Sequence, residues 1–173
     1  VTIPSTVKTI GVDAFSGCTA LSSISIPSSV VKIESAAFAN CTGLQSVTLP
    51  SSLTSIGEES DWRSGAFQGC VALREITIPA SVAIIGKSSF EGCTGLQKVT
   101  FSSGNKNLII ASYAFKDCTA LWNISIPSRT VKIGDYSFSN TAIESANLSS
   151  KVKTIGNNAF QSCNYLRNVV LSE

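Results

Sequence analysis

Phe recurs at positions 15, 38, 67, 90, 115, 138 and 160. The intervals are 23, 29, 23, 25, 23 and 22 residues, a basic period of 23 with one insertion of six, one of two and one deletion. Identity at a fixed period constrains the fold more than any local propensity does, because it marks stacked repeat architectures. Other positions keep the same register. Cys18, Cys41, Cys70, Cys93, Cys118 and Cys163 each stand three residues after a Phe, and Thr141 takes the place in the sixth copy. Leu21, Leu44, Leu73, Leu96, Leu121 and Leu166 follow three residues later, while the sixth copy reaches Ile143 one residue early. An aliphatic residue followed by Pro closes five copies, at Pro4, Pro27, Pro50, Pro79 and Pro127.

The unit reads Ile-Pro-Ser-Ser-Val-x-x-Ile-Gly-x-x-Ala-Phe-x-x-Cys-Thr-x-Leu-x-x-Ile-x. Leu21-x-x-Ile24-x-Ile26 ends with period two, as a half-buried strand does, and Pro27 stops it because Pro cannot donate to a ladder. Val7-x-x-Ile10, closed by Gly11, is a second short extended segment. Ala14, Phe15 and Cys18 between them suit a tight coil or a single 3-10 turn with its apolar side inward. No unit can bury its own apolar face, so neighbours must stack and share one core. The expected fold is a repeat solenoid over residues 1–173, mostly β, with short parallel strands in about seven coils of 23 residues. A β-sandwich of short strands would explain the turns but not identity at one period. Val1 falls inside a repeat with no initiator Met, so a piece of a longer protein is expected.

This pattern, as in Val30-Val31-Lys32-Ile33, Ala37-Phe38, Cys41-Thr42, Leu44 and Val47, resembles the BspA-like leucine-rich-repeat family of bacterial and protozoan surface proteins. The resemblance covers essentially the whole chain, and it makes the expected fold a leucine-rich-repeat solenoid. It implies an extracellular or cell-surface protein that adheres to host or matrix proteins such as fibronectin and fibrinogen, or to other cells. It also implies that the Leu-x-x-Ile strands line a concave side. It carries over no binding motif. The fifth copy departs from the pattern, lacking Pro and running through Ser102-Ser103-Gly104-Asn105-Lys106-Asn107, which blurs its register.

Several chemistries are disfavoured by residue content. With no His, the commonest general base and the usual activator of a Ser or Cys nucleophile are missing, so no enzyme and no cofactor are expected. No Cys-x-x-Cys occurs, which argues against a metal cluster. Glu58, Glu59 and Asp61 sit together in the six-residue insertion, where a solvated loop is the simpler reading than a weak cation site. The six cysteines could bridge adjacent coils. Free buried thiols account better for them, since Thr141 replaces one Cys without any second change to remove an orphan partner. A formal charge of +2 with scattered Lys and Arg sets nucleic acid aside, and no apolar run approaches the roughly 20 residues of a membrane span.

What remains is surface. Residues flanking the inward aliphatics of each Leu-x-x-Ile strand must point outward. One column is Ser23, Ser46, Glu75, Lys98, Asn123, Ser145 and Asn168, and beside it run Ser25, Thr48, Thr77, Thr100, Ser125, Asn147 and Val170. A hydroxyl column also stabilises a sheet with no ligand at all, so the variable column is the more informative one. Trp122 stands where the other copies carry Ser22, Gln45, Arg74, Gln97, Glu144 and Arg167, and an out-of-pattern aromatic suits an interface hot spot. Trp62, in the insertion, is the second candidate; either indole could instead fold over a neighbouring coil. Asn40, Asn123 and Asn147 open Asn-x-Ser/Thr sequons, acceptors wherever the source glycosylates exported proteins.

The first functional expectation is a non-enzymatic adhesion or protein-recognition module. A structural segment that self-associates weakly through uncapped ends is the alternative to a monomer. An ice- or glycan-binding lattice ranks last, because Glu75 and Lys98 interrupt any flat hydroxyl array.

Overall fold

The computed structural model describes residues 1–171. The chain winds as a parallel β-solenoid in which each coil contributes two short strands. The Val-x-x-Ile segments give β1 (Thr9–Ile10), β3 (Lys32–Ile33), β5 (Ser55–Ile56), β7 (Ile84–Ile85), β9 (Leu108–Ile110), β11 (Thr130–Ile133) and β13 (Thr154–Ile155). These seven form one unbroken parallel sheet in chain order. The Leu-x-x-Ile segments give β2 (Ser23–Ser25), β4 (Ser46–Thr48), β6 (Glu75–Ile78), β8 (Lys98–Phe101), β10 (Asn123–Ile124), β12 (Ser145–Leu148) and β14 (Asn168–Leu171).

The second set differs from the single exposed strand face expected. It is split into β2–β4, β6–β8–β10 and β12–β14. The breaks fall at the irregular coils. The first lies where the six-residue insertion separates β4 from β6, and the second where the sixth copy is one residue short before β12. The two-residue insertion of the fifth copy lies in the loop before β9, and β11 in the next coil pairs with β9 through a register shift between Thr130 and Lys132.

Between the two strands of a coil the backbone is neither helix nor strand, and the hydrogen bonds explain why. Donors alternate: Phe15 N and Gly17 N donate to Ala37 O and Ala39 O of the next coil, both at 2.7 Å, while Ser16 N and Cys18 N turn back to Asp13 O and Phe15 O. A helix would spend every donor inside one coil and leave the stack unbonded. The alternation requires a left-handed residue two positions after each Phe, filled by Gly17, Asn40, Gly69, Gly92, Asp117, Asn140 and Ser162 with φ between 57° and 71°. Gly, Asn and Asp tolerate that conformation best.

The core repeats with the coils. Phe38, Phe67, Phe90, Phe115 and Phe138 are fully buried, and all seven repeat Phe rings stack at centroid separations of 5.1–5.5 Å. Each of the five inner rings therefore packs on its own kind above and below, the stacked arrangement aromatic pairs favour. The six cysteines are unbridged. Cys41, Cys70, Cys93, Cys118 and Cys163 each donate through Sγ to the Phe carbonyl of an adjacent coil at 3.0–3.2 Å. Thr141 Oγ1 instead donates to Phe138 O of its own coil at 2.8 Å and contacts Cys163 Sγ at 3.3 Å. Close coil contact also fixes a corner glycine, because a Cβ on Gly86 would run into backbone atoms of Gly57 and Glu58. No helix of the described residues is long and apolar enough to cross a membrane.

Candidate functional site

Both outward columns of the Leu-x-x-Ile strands are exposed along their full length, as strand alternation requires. Register fixes the neighbours. Glu75 pairs with Lys98 and Thr77 with Thr100 across β6 and β8, while Asn123 stands beside Lys98 across β10 and β8. Ser145 pairs with Asn168 and Asn147 with Val170 across β12 and β14.

The breaks in the face turn these columns into separate surfaces. Where β4 parts from β6, a groove of 660 Å³ opens between Ser46, Thr48, Glu75, Thr77, Lys98 and Thr100. Four hydroxyls and one charge of each sign line it. A second cavity, of 430 Å³, opens on the other side of β8, where Thr100, Ser102, Asn123, Ser125 and Arg129 meet. Ser145 and Asn168 lie beyond the second break, on the separate sheet β12–β14.

Trp122 precedes β10 in the column beside these strands and is 57% exposed. Trp62 is 82% exposed but lies elsewhere. Its loop is tied to the seven-stranded sheet, with Glu58 paired to Lys32 of β3 and Glu59 to Lys132 of β11, each at 2.6 Å. The acidic cluster is thus a strap held by lysines, each carboxylate engaged separately. Asp61 accepts from the backbone N–H of Arg63 at 3.0 Å, and that bond, with the Arg63 charge beside it, holds the carboxyl below its usual range. The Glu58 carboxylate bonded to Lys32 pushes the ammonium up in turn. Arg63 packs over the Trp62 ring at 5.1 Å, a cation–π contact, beside a shallow groove of 390 Å³ with Gln68, Lys87, Glu91 and Tyr113.

The sequon residues Asn40, Asn123 and Asn147 are all exposed, the last two on the strand face, where a glycan would cover part of it. Among the described residues no three His, Cys, Asp or Glu side chains converge as a metal site. The thiols are poor nucleophiles where they are deepest. Burial pushes Cys70 up to about 12 and raises Cys93 and Cys118 well above the ordinary thiol range.

Sequence reasoning missed Arg129. It occupies the position of Ser29, Ser52 and Ser81 in earlier copies, and it is 2% exposed. The signal available was the break in that Ser column beside the irregular fifth copy.

The BspA type leucine rich repeat region is the family whose model matches this chain, in six copies over residues 1–61 and 60–173. A leucine-rich-repeat protein from T. pallidum is 29% identical, superimposes with a TM-score of 0.74, and is matched over 93% of this chain and 72% of its own. One from Bacteroides ovatus is 30% identical with a TM-score of 0.61, over 99% of this chain and 54% of its own. Pneumococcal vaccine antigen PcpA, 22% identical with a TM-score of 0.52, shares the fold over 99% of this chain and 58% of its own. The chain thus spans little more than half the length of the latter two. No curated protein matches it in sequence.

Proposed function

From the premise that this chain belongs to the BspA-type leucine-rich-repeat family, we propose that it is a non-catalytic recognition module whose exposed strand face binds a partner protein. The protein then works outside the cell or at its surface, adhering to host or matrix proteins or to other cells, with no cofactor. The observation that carries the reading is the strand face itself. Glu75, Lys98, Asn123, Thr48, Thr77 and Thr100 are presented in fixed register on a packed core, with Trp122 exposed in the adjoining column. Preordered side chains lose little entropy on binding, and an exposed Trp offers the large area typical of interface hot spots.

The test is binding of the purified chain to immobilised fibronectin, fibrinogen and a wider matrix panel. The combined variant Trp122→Ala with Lys98→Ala should weaken saturable binding at least about tenfold, or roughly 1.4 kcal/mol. Trp62→Ala should leave it unchanged, because that loop is tied to the other sheet. Undiminished binding in the first variant would remove the strand face as the site. The competing reading, end-to-end association of such segments, has exposed Val169, Val170 and Leu171 of β14 in its favour. Sedimentation showing concentration-dependent association, with no binding to any partner, would select it.

A further inference from the structure

Arg129 holds a buried cation with no carboxylate against it among the described ion pairs. Its side chain reaches past the fifth coil to the fourth. Nη1 donates to Val82 O at 2.7 Å and Lys106 O at 3.1 Å, and Nη2 lies 3.5 Å from Pro79 O. The Nε N–H, equally buried, has no acceptor. The two-residue insertion makes room for this, since the chain loops through 102–107 with Gly104 so close to Ala80 that a Cβ would come within 2.7 Å of it. Carbonyl dipoles offset part of the cost of burying a guanidinium, but an unpaired donor and an uncompensated charge both remain.

Arg129 also forms part of the wall of the 430 Å³ cavity beside β8 and β10. The rest of that wall is rich in neutral donors: the hydroxyls of Thr100, Ser102, Ser103, Ser125 and Ser128, and the Asn123 amide. No Asp or Glu lines it. Lys98, the register partner of Asn123, stands outside the wall and faces Glu75 across β6, so Arg129 is the charge of the cavity. A positive, acid-free cavity with convergent hydroxyl donors is suited to a carboxylate, whose two oxygens accept several charge-assisted hydrogen bonds.

We propose that this cavity binds the acidic side chain of a partner polypeptide lying along β8 and β10, with Arg129 supplying charge from beneath and Ser102, Asn123 and Ser125 donating hydrogen bonds. The inference rests on the recognition reading for the source of the carboxylate. The cavity opens onto the same strand face, which favours a polypeptide laid across that face over a free sugar acid.

The experiment titrates ¹⁵N-labelled protein with acetyl-Gly-Glu-Gly-amide and follows the arginine Nε–H resonances, that of Arg129 assigned from an Arg129→Lys variant. Acetyl-Gly-Gln-Gly-amide and glucuronate are the comparison ligands. The expected result is a saturable shift of the Arg129 signal with the Glu peptide and at least tenfold weaker response to the Gln peptide. Asn123→Leu with Ser125→Val, which leaves Arg129 and its carbonyl contacts in place, should abolish the shift while the fold, read by circular dichroism, persists. Equal responses to the Glu and Gln peptides, or no movement of the Arg129 signal, overturn the site. Response to glucuronate alone overturns the polypeptide source. If matrix binding is lost in Trp122→Ala with Lys98→Ala while the peptide leaves Arg129 unmoved, the recognition reading stands and this inference falls. A peptide response without any matrix binding reverses that outcome.

Discussion

The thiol of Cys70 shows how a residue can be kept for its hydrogen bond and its bulk at once. It is fully buried, donates to Phe38 O at 3.2 Å, and stays protonated because burial penalises the thiolate. The sign of the pH effect follows. The folded state holds this proton up to about pH 12, whereas an unfolded Cys releases it near about pH 8.5, so the stabilisation is complete below pH 8.5 and is lost as pH rises toward 12. Urea midpoints at pH 7, 9 and 10.5 should therefore fall, and fall less in Cys70→Thr, where nothing titrates. Maleimide should label exposed Cys18 first and half-buried Cys163 more slowly in the native state, while Cys41, Cys70, Cys93 and Cys118 should react only on unfolding. The free-thiol reading was available from Thr141 alone. Arg129 was not, because the carbonyls it reaches lie 23 to 50 residues away and one of them exists in that place only because of the 102–107 loop.

At the scale of the element, the strap over residues 58–63 behaves unlike the coils beneath it. Lys32 and Lys132 hold it through two ion pairs whose side chains are each between a third and half exposed. Exposed pairs contribute little. Lys32→Ala with Lys132→Ala should thus lower stability by less than about 1 kcal/mol in a denaturant titration. Amide exchange in the strap should nevertheless quicken, with stronger acrylamide quenching of Trp62, and high salt should reproduce the effect in the unaltered chain. Unchanged exchange would mean that backbone contacts, such as Lys87 N donating to Glu58 O at 2.7 Å, hold the strap unaided. The sequence identified this insertion and its acids, yet not their partners: Glu59 meets Lys132, 73 residues on, only because the strap runs across the edge of the stack from β5, past β7 and β9, to β11.

Across the whole molecule, the stacked Phe column and the seven-stranded sheet join nearest neighbours, and among the described residues only side chains such as Arg129 and the Glu59–Lys132 pair reach further, which brings stability near the one-dimensional limit. Phe90→Ala, in the middle of the column, should cost about 3–5 kcal/mol by removing a fully buried ring touched on both sides. Phe15→Ala should cost roughly half as much or less, because that ring is only partly buried and stacks on one neighbour. With the middle weakened, the halves should uncouple, so that urea transitions followed by Trp62 and by Trp122 cease to coincide. Coincident transitions in Phe90→Ala would show cooperativity reaching past nearest neighbours.

Seven copies of one pattern fixed the coil length, the inward residues and the outward columns, because side-chain alternation and the need to bury each apolar face are local rules that every copy restates. Those same rules placed Glu75, Lys98 and Asn123 at the surface with no structure in hand. They could not foresee that the Val-x-x-Ile segments, not the Leu-x-x-Ile ones, carry the unbroken sheet, or that the other face is broken at two points, with a groove at the first break and a cavity beside β8 and β10. Nor did they reveal the left-handed backbone at Ala36, Ser88, Tyr113 and Tyr136, which share no side-chain signature. The breaks fall at irregular coils, whereas the left-handed residues recur two positions before six of the seven repeat Phe, and in both cases only the stacked tertiary structure decides which backbone groups are left within reach.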